Sequence, residues 1–212
     1  MVIAIDGPAG AGKSSVARAL SDELGFTYLD SGAMYRCVAA AVLMRDLDPG
    51  DPESATAVAE SIEIDFDRDR IGLDGDQVDQ LIRTPEVTEA ASRVSVHPGV
   101  RAALVTEQRR LISRGRYVAE GRDIGTVVSP ESPLKVFLTA TPEERARRRA
   151  LQTGGDADQI LLAQNERDRR DSEREVGALR VAEDAVEVDT TDRSLDEVVA
   201  VIAGLARGRG LA

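Results

Sequence analysis

Cysteine and histidine are almost missing from this chain. Cys37 is the only cysteine and His97 the only histidine among 212 residues, which excludes an internal disulfide, a cysteine and histidine zinc cluster, and any mechanism that needs two histidines. A metal, if one is used, must be held by oxygen atoms. Lysine is nearly absent as well: Lys13 and Lys135 are the only two, and every other cationic side chain is arginine. An isolated arginine therefore carries little weight, and only arginines in a defined constellation count. Positive charge is scarce altogether, with a formal net charge of −11. That balance argues against a nucleic-acid or anionic-membrane surface, which requires an extended basic field, so anions must be captured locally. Nothing near Met1 has the basic flank and long apolar run of a signal peptide, and no run is long enough to span a bilayer, so a cytoplasmic location is expected.

The order of hydrophobic patterns is more informative. Val2-Ile3-Ala4-Ile5 is a short apolar run ending at Asp6, followed by a glycine-rich turn and a helical pattern from Ser14 to Leu24 that stops at Gly25. Phe26 to Leu29 reads as a second strand, and an apolar helix follows Asp30-Ser31. A turn cluster at Asp48 to Pro52 precedes a helix holding Ala55, Val58 and Ala59. Ile62, Ile64 and Phe66 then alternate with charged residues, and Ile71, Leu73 and Val78 surround Asp74-Gly75-Asp76, which predicts a small antiparallel meander. Helical patterns return at Pro85 to Val94 and Pro98 to Ile112. Strands are expected at Tyr117 to Ala119, Leu134 to Leu138 and Ala185 to Asp189, with two arginine-rich helices before the last strand and a capped helix after it. Five core strands interleaved with helices predict an α/β fold with a five-stranded parallel sheet flanked by helices. Without heptads or a long apolar edge, a monomer is expected.

Gly7, Pro8, Ala9, Gly10, Ala11, Gly12, Lys13 and Ser14 fit the pattern G-x-x-x-x-G-K-[ST] between a strand and a helix, with Ser15 continuing the helix start. The glycines let the backbone curl so that successive N–H groups face a polyphosphate, and the helix N-terminus adds a favourable dipole. Lys13 can reach the outer phosphates, and the Ser14 hydroxyl can ligate Mg²⁺. The pattern predicts binding of a nucleoside triphosphate and leaves open what is done with it. A GTPase needs a guanine-reading N/T-K-x-D segment, which two lysines at these positions do not supply. A remodelling ATPase is disfavoured by the absence of an accessory module. A small-molecule kinase remains.

Three further segments carry a resemblance. Asp30-Ser31-Gly32-Ala33-Met34-Tyr35-Arg36, Glu120-Gly121-Arg122-Asp123-Ile124-Gly125-Thr126-Val127-Val128 and Glu166-Arg167-Asp168-Arg169-Arg170-Asp171 resemble the signature segments of bacterial cytidylate kinases. With the phosphate loop they span almost the whole chain in the family's order. Ala90-Ala91-Ser92-Arg93-Val94 and Val100-Arg101 are similar to the family too, as is a three-stranded insertion in its acceptor-binding region. The resemblance implies one domain over 1–212, with a core at about 1–35, 104–143 and 172–212, an acceptor-binding insertion at about 36–103 and a short helical lid at about 144–171. It implies transfer of the ATP γ-phosphoryl group to CMP or dCMP, with ATP and Mg²⁺ required. Ser31 lies in the acceptor segment; Arg36, Arg122 and Arg174 match the residues on the acceptor phosphate, and Ser92, Arg101 and Asp123 those that read cytosine. A guanidinium fork suits paired phosphate oxygens. A carboxylate accepting from the cytosine N4 amino group and an arginine donating to N3 and O2 reject uracil, which reverses the pattern. Asp123 as a turn residue or a salt-bridge partner of Arg122 is the competing account.

Arg167, Asp171 and Arg174 fall at i, i+4 and i+7 and share a helix face, either as a clamp for phosphate and ribose or as ordinary ion pairs. Arg145, Arg148 and Arg149 follow the capping start Thr141-Pro142-Glu143-Glu144 and look like the arginine-bearing edge of a lid, with Arg147 beside them. Glu120 is a candidate to hold Mg²⁺ through water, or a capping carboxylate. Asp189, Thr190 and Thr191 border the adenine pocket or form a turn. Acceptors such as UMP, AMP or shikimate, and a regulatory module that binds ATP without turnover, are the competing functional readings.

Overall fold

In the computed structural model of the protein, residues 1–67 and 70–211 are described. They fold as two compact units, residues 1–29 with those from 112 onward, and residues 30–111. The first unit is organised by β1 (Val2–Asp6), whose five residues are all buried. It lies at the centre of a five-stranded sheet with β2 (Thr27–Asp30), β6 (Tyr117–Gly121), β7 (Leu134–Thr139) and β8 (Val186–Asp189), in the order β2-β6-β1-β7-β8. β1 runs parallel to both neighbours, and β7 to β8. The register sets Asp6 beside Gly121 and Phe137, so the turns that follow β1 and β6 leave the same edge of the sheet, where ligands of open parallel sheets bind.

Two helices cover this sheet. α1 (Lys13–Leu24) and α8 (Leu195–Gly208) send Val16, Leu20, Ile202 and Ala203 into a core with Ile3, Ile5, Val136 and Leu138. α8 starts on a full capping box, in which the Ser194 hydroxyl accepts the Glu197 N–H and the Glu197 carboxylate accepts the Ser194 N–H. The arginine-rich stretch forms α6 (Pro142–Thr153) and α7 (Ala157–Glu173), packed on each other. α6 begins at Thr141 with proline in its first turn and ends at Gly154, whose φ of 70° is the left-handed stop that glycine adopts at no steric cost.

The second unit holds the expected antiparallel meander as β3 (Ile64–Asp67), β4 (Arg70–Leu73) and β5 (Asp76–Gln77). The same unit holds α2 (Ser31–Met44), α3 (Pro52–Ser61), α4 (Pro85–Val94) and α5 (Pro98–Ile112), with α2 packed on both α3 and α4. This unit runs from residue 30 to residue 111, beyond both ends of the insertion expected at about 36–103. α2 is buried along most of its length. Its Cys37 is fully enclosed, and burial pushes the thiol up to about 12. His97 is buried too, with Nε2 2.9 Å from the Pro49 carbonyl oxygen.

Two irregular turns escape the sequence periodicity. Leu81–Arg83 is a short 3₁₀ turn. Ile124–Val128 is a π-helical turn that follows directly on Arg122 and Asp123. π-helical turns are rare and concentrate at functional sites.

Candidate active site

The loop after β1 is built from glycines that nothing else can replace. Gly7 has φ 151° and a Cβ there would lie 2.2 Å from the Leu138 carbonyl oxygen, while Gly10 and Gly12 have φ 79° and 89°. Gly12 caps α1 without a side chain, which leaves the backbone donors of the first turn facing outward from the loop. The Lys13 side chain folds back over the loop and donates to the Pro8 carbonyl oxygen at 2.7 Å. Burial pushes its ammonium pKa down to about 7, Arg122 and Arg167 push the same way, and Glu120 and Asp6 oppose them. Such a lysine is poised for an anion: a phosphate would restore its full charge.

Arg122 extends the cationic wall. Its Nη1 donates to the Gly7 carbonyl oxygen at 3.1 Å and its Nε to Asp171 at 2.7 Å. Asp171 is 1% exposed and also accepts from Arg174. Burial opposes ionisation of Asp171, but the charges of Arg122, Arg174 and Arg167 outweigh it and hold its carboxyl below the ordinary range. The row at i, i+4 and i+7 is therefore one cluster, with Arg122 added from the turn after β6. Four cations, Lys13, Arg122, Arg167 and Arg174, act on a shared region in which Asp171 and Glu120 stand as resting counter-charges.

The arginines expected at a lid edge separate by position on α6. Arg145 is buried, pairs with Asp168 and donates through Nη1 to the Ala9 carbonyl oxygen at 2.9 Å. Asp168 in turn accepts the Ala9 N–H at 3.3 Å, so α6 and α7 are both fastened to the phosphate loop. Arg148 reaches the segment after β8, donating to Thr190 Oγ1 at 2.9 Å and to the Thr190 carbonyl oxygen. Thr190 is itself buried and donates to the Thr139 carbonyl oxygen at 3.0 Å. Arg149 is exposed, and Arg147 is held by Glu144 on the outside of α6. Arg145, Arg148 and Arg149 do not share one environment.

Within the second unit, Ser31 is buried at the start of α2, and Arg36 pairs with Asp30 at 2.9 Å. Asp30 also caps that helix by accepting the Ala33 N–H at 2.8 Å. Ser92 and Arg101 are each 2% exposed. They meet through Ser95, whose hydroxyl donates to the Ser92 carbonyl oxygen at 2.9 Å and whose carbonyl accepts from Arg101 at 3.3 Å. The Arg101 guanidinium lies 5.5 Å from the Tyr35 ring centroid, and the Ser92 hydroxyl has no hydrogen-bond partner among the described residues. A buried hydroxyl without a partner costs free energy unless a ligand completes it.

Sequence reading missed Asp168 and Tyr28. Asp168 stands between Glu166 and Asp171, but no local pattern shows that it spans 159 residues to Ala9. Tyr28 donates its hydroxyl to Glu120 at 2.7 Å and carries Arg18 over its ring, contacts that depend on strand order alone. Glu120 is buried and acts electrostatically on Lys13. Glu120 and Asp6 are the two carboxylates that act on Lys13, and the neighbouring Ser14 hydroxyl is exposed at the start of α1. No group of three carboxylate, histidine or cysteine side chains gathers anywhere among the described residues. So sparse a donor set fits Mg²⁺, which takes most of its ligands from phosphate oxygens and water.

Comparison with known proteins bears on this arrangement. The family model for cytidylate kinase matches residues 3–207. The cytidylate kinase of Mycobacterium leprae (strain Br4923) is 50% identical over 218 residues, covering 99% of this chain and 96% of that protein. The bifunctional pantoate ligase/cytidylate kinase of Prochlorococcus marinus (strain MIT 9303) is 46% identical over 97% of this chain, which spans only 44% of that longer protein. Among solved structures, shikimate kinase from Bacteroides thetaiotaomicron shares the fold, with a TM-score of 0.51 at 12% identity over 98% of both chains. The match over nearly the whole sequence, on a sheet edge that carries the phosphate loop and its arginines, places this chain in the cytidylate kinase family.

Proposed function

We propose that the protein transfers the γ-phosphoryl group of ATP to CMP or dCMP, giving ADP and the corresponding diphosphate. The observation that carries this reading is the cluster of Lys13, Arg122, Arg167 and Arg174 beside the phosphate loop in a chain whose net charge is −11. Two anionic nucleotides repel each other, and a confined group of cations is what allows their phosphates to approach.

The loop Gly7 to Ser15 takes the ATP phosphates, with Lys13 on the outer ones. Arg36, Arg122 and Arg174 hold the acceptor phosphate, Arg167 and Asp171 lie beside it, and Ser31, Ser92, Arg101 and Asp123 recognise the cytidine. Arg122 and Arg174 pair with Asp171 and Lys13 donates to Pro8, so binding would exchange these contacts for phosphate oxygens. The acceptor oxygen is largely ionised at neutral pH because the second phosphate pKa is about 6, and no general base is required. Rate enhancement comes from alignment of the two phosphates and neutralisation of charge by Lys13, Arg122, Arg174 and the lid, of which Arg145 and Arg148 are the residues in reach of the loop. Ser14 and, through water, Glu120 would hold Mg²⁺, which supplies charge neutralisation on the donor phosphates.

A coupled assay with CMP, dCMP, UMP, AMP and shikimate tests the proposal. CMP and dCMP should have the highest kcat/KM; preference for any other acceptor on this panel rejects it.

A further inference from the structure

Arg145 and Gln164 are buried polar residues in contact, and each carries one group that the contact leaves unused. Arg145 stands near the start of α6 at 5% exposure and Gln164 halfway along α7 at 9%. Both press on the phosphate loop at the same point. A Cβ at Gly10, whose φ is 79°, would lie 3.0 Å from Arg145 Cβ, 3.1 Å from Gln164 Nε2 and 3.2 Å from the Arg145 carbonyl oxygen. Gln164 Nε2 donates to that same carbonyl at 3.5 Å, which sets the carboxamide against the backbone of Arg145. The guanidinium makes its bonds through Nη1, which donates to the Ala9 carbonyl oxygen at 2.9 Å and pairs with Asp168, one helical turn after Gln164. The Arg145 Nε–H and the Gln164 Oε1 have no hydrogen-bond partner among the described residues.

The two unmet groups are complementary, since an arginine Nε–H only donates and a carboxamide oxygen only accepts. Each costs free energy while buried without a partner. Leucine or methionine would fill the place of Gln164 against Gly10 without that cost, so a carboxamide there points to a second arrangement in which its oxygen is used. We infer that Gln164 is a positioning residue for Arg145: when the Nη groups turn from Ala9 and Asp168 to the phosphates of ATP, the Gln164 carbonyl oxygen takes the Arg145 Nε–H and fixes the plane of the guanidinium. The inference rests on the reading that the loop takes ATP and that Arg145 neutralises its phosphates. A guanidinium is planar and rigid, so a bond to Nε sets the direction of both Nη groups. An arginine held in that plane meets the transferring phosphoryl oxygens already aligned, whereas one held by phosphate alone can swing about its stem.

Gln164→Leu removes the acceptor and keeps the bulk. With sites counted by calorimetric titration with a non-hydrolysable ATP analogue, kcat per site should fall by about tenfold, the worth of one hydrogen bond to a charged group. KM for ATP and for the acceptor should each change by less than about threefold. The Tm without nucleotide should stay at the wild-type value or rise, because a buried acceptor without a partner has been removed. A residue that merely holds the helices together gives the opposite pattern, with Tm and the number of sites falling and kcat per site unchanged. Arg145→Lys keeps the charge and lacks the guanidinium Nε–H, so in that background Gln164→Leu should cost less than about twofold in kcat. Should Gln164→Leu fail to fold, Gln164→Met, unbranched and of similar length, is read by the same measurements. Wild-type kcat per site in the folded variant, or an undiminished cost of Gln164→Leu when Arg145→Lys is present, overturns the inference. The assays use whichever acceptor the wild-type enzyme prefers, so rejection of CMP as substrate leaves this test standing. If the wild-type enzyme binds no ATP analogue, or Arg145→Lys keeps the wild-type kcat, the donor-side reading fails and the inference with it.

Discussion

A lysine enclosed by the loop it serves is a cost that the free protein carries. Lys13 is 7% exposed, and Arg122 and Arg167 add like charge to its desolvation. Lys13→Met keeps the stem and removes the charge, so two outcomes should diverge. Phosphoryl transfer to every acceptor should fall by about 10³-fold or more, while the ligand-free protein gains about 1–2 kcal/mol, a rise in Tm of a few degrees. Kinetics and thermal unfolding without nucleotide check the pair, and a lower Tm contradicts the argument. Asp6 gives a pH signature. Burial raises its carboxyl from 3.8 to about 6, Asp123 adds to the rise, and the N–H groups of Gly125 and Ile124 and the charge of Lys13 oppose it. The folded state therefore keeps this proton between about pH 4 and 6 where the unfolded state has lost it. The stability it contributes is complete below pH 4 and lost as pH rises through 6, at most about 3 kcal/mol. Denaturant titrations from pH 4 to 7 should show wild type losing stability relative to Asp6→Asn over that window; a constant difference refutes it.

At the scale of elements, α6 and α7 differ from the rest of the first unit in what holds them. Their attachment to the phosphate loop is polar, through Arg145, Asp168 and Ala9, and Leu151 and Leu162 are left exposed. Polar attachments with little apolar burial open at low free energy. Asp168→Ala removes the carboxylate from both Ala9 and Arg145, and amides of α6 and α7 should then exchange with deuterium at least about tenfold faster, with β1, β6 and β7 unchanged. Equal acceleration in the sheet would mean that Asp168 stabilises the whole unit instead. The sequence could show that arginines cluster after Thr141, because capping and composition are local. It could not show that Arg145 enters the loop while Arg149 stays outside, since that depends on how two helices are rotated against a third element.

For the molecule as a whole, legibility followed sequence distance. The phosphate loop, the helix caps and the antiparallel meander were readable because each is specified within a few residues. The sheet order was not, because β6 enters beside β1 after more than a hundred residues, and with it came the contacts of Tyr28 with Glu120 and of Asp6 with Ile124 and Gly125. The π-helical turn has no periodicity that a sequence can display. The assigned roles predict separate nucleotide footprints. A non-hydrolysable ATP analogue should slow amide exchange in residues 7–15 and at the start of α1, and CMP alone should slow it around Ser92 and Arg101. Each nucleotide at 100 times its Kd should add about 2.7 kcal/mol to stability. Protection of residues 7–15 by CMP alone would reverse the assignment of donor and acceptor.

Cys37 has a practical corollary. A thiol sealed inside α2 and protonated far above neutral pH does not react with maleimides in the native state. A cysteine placed by mutation at Leu151 or another outward position of α6 and α7 therefore accepts a fluorophore alone, and the native chain already has the silent background that single-molecule measurement requires.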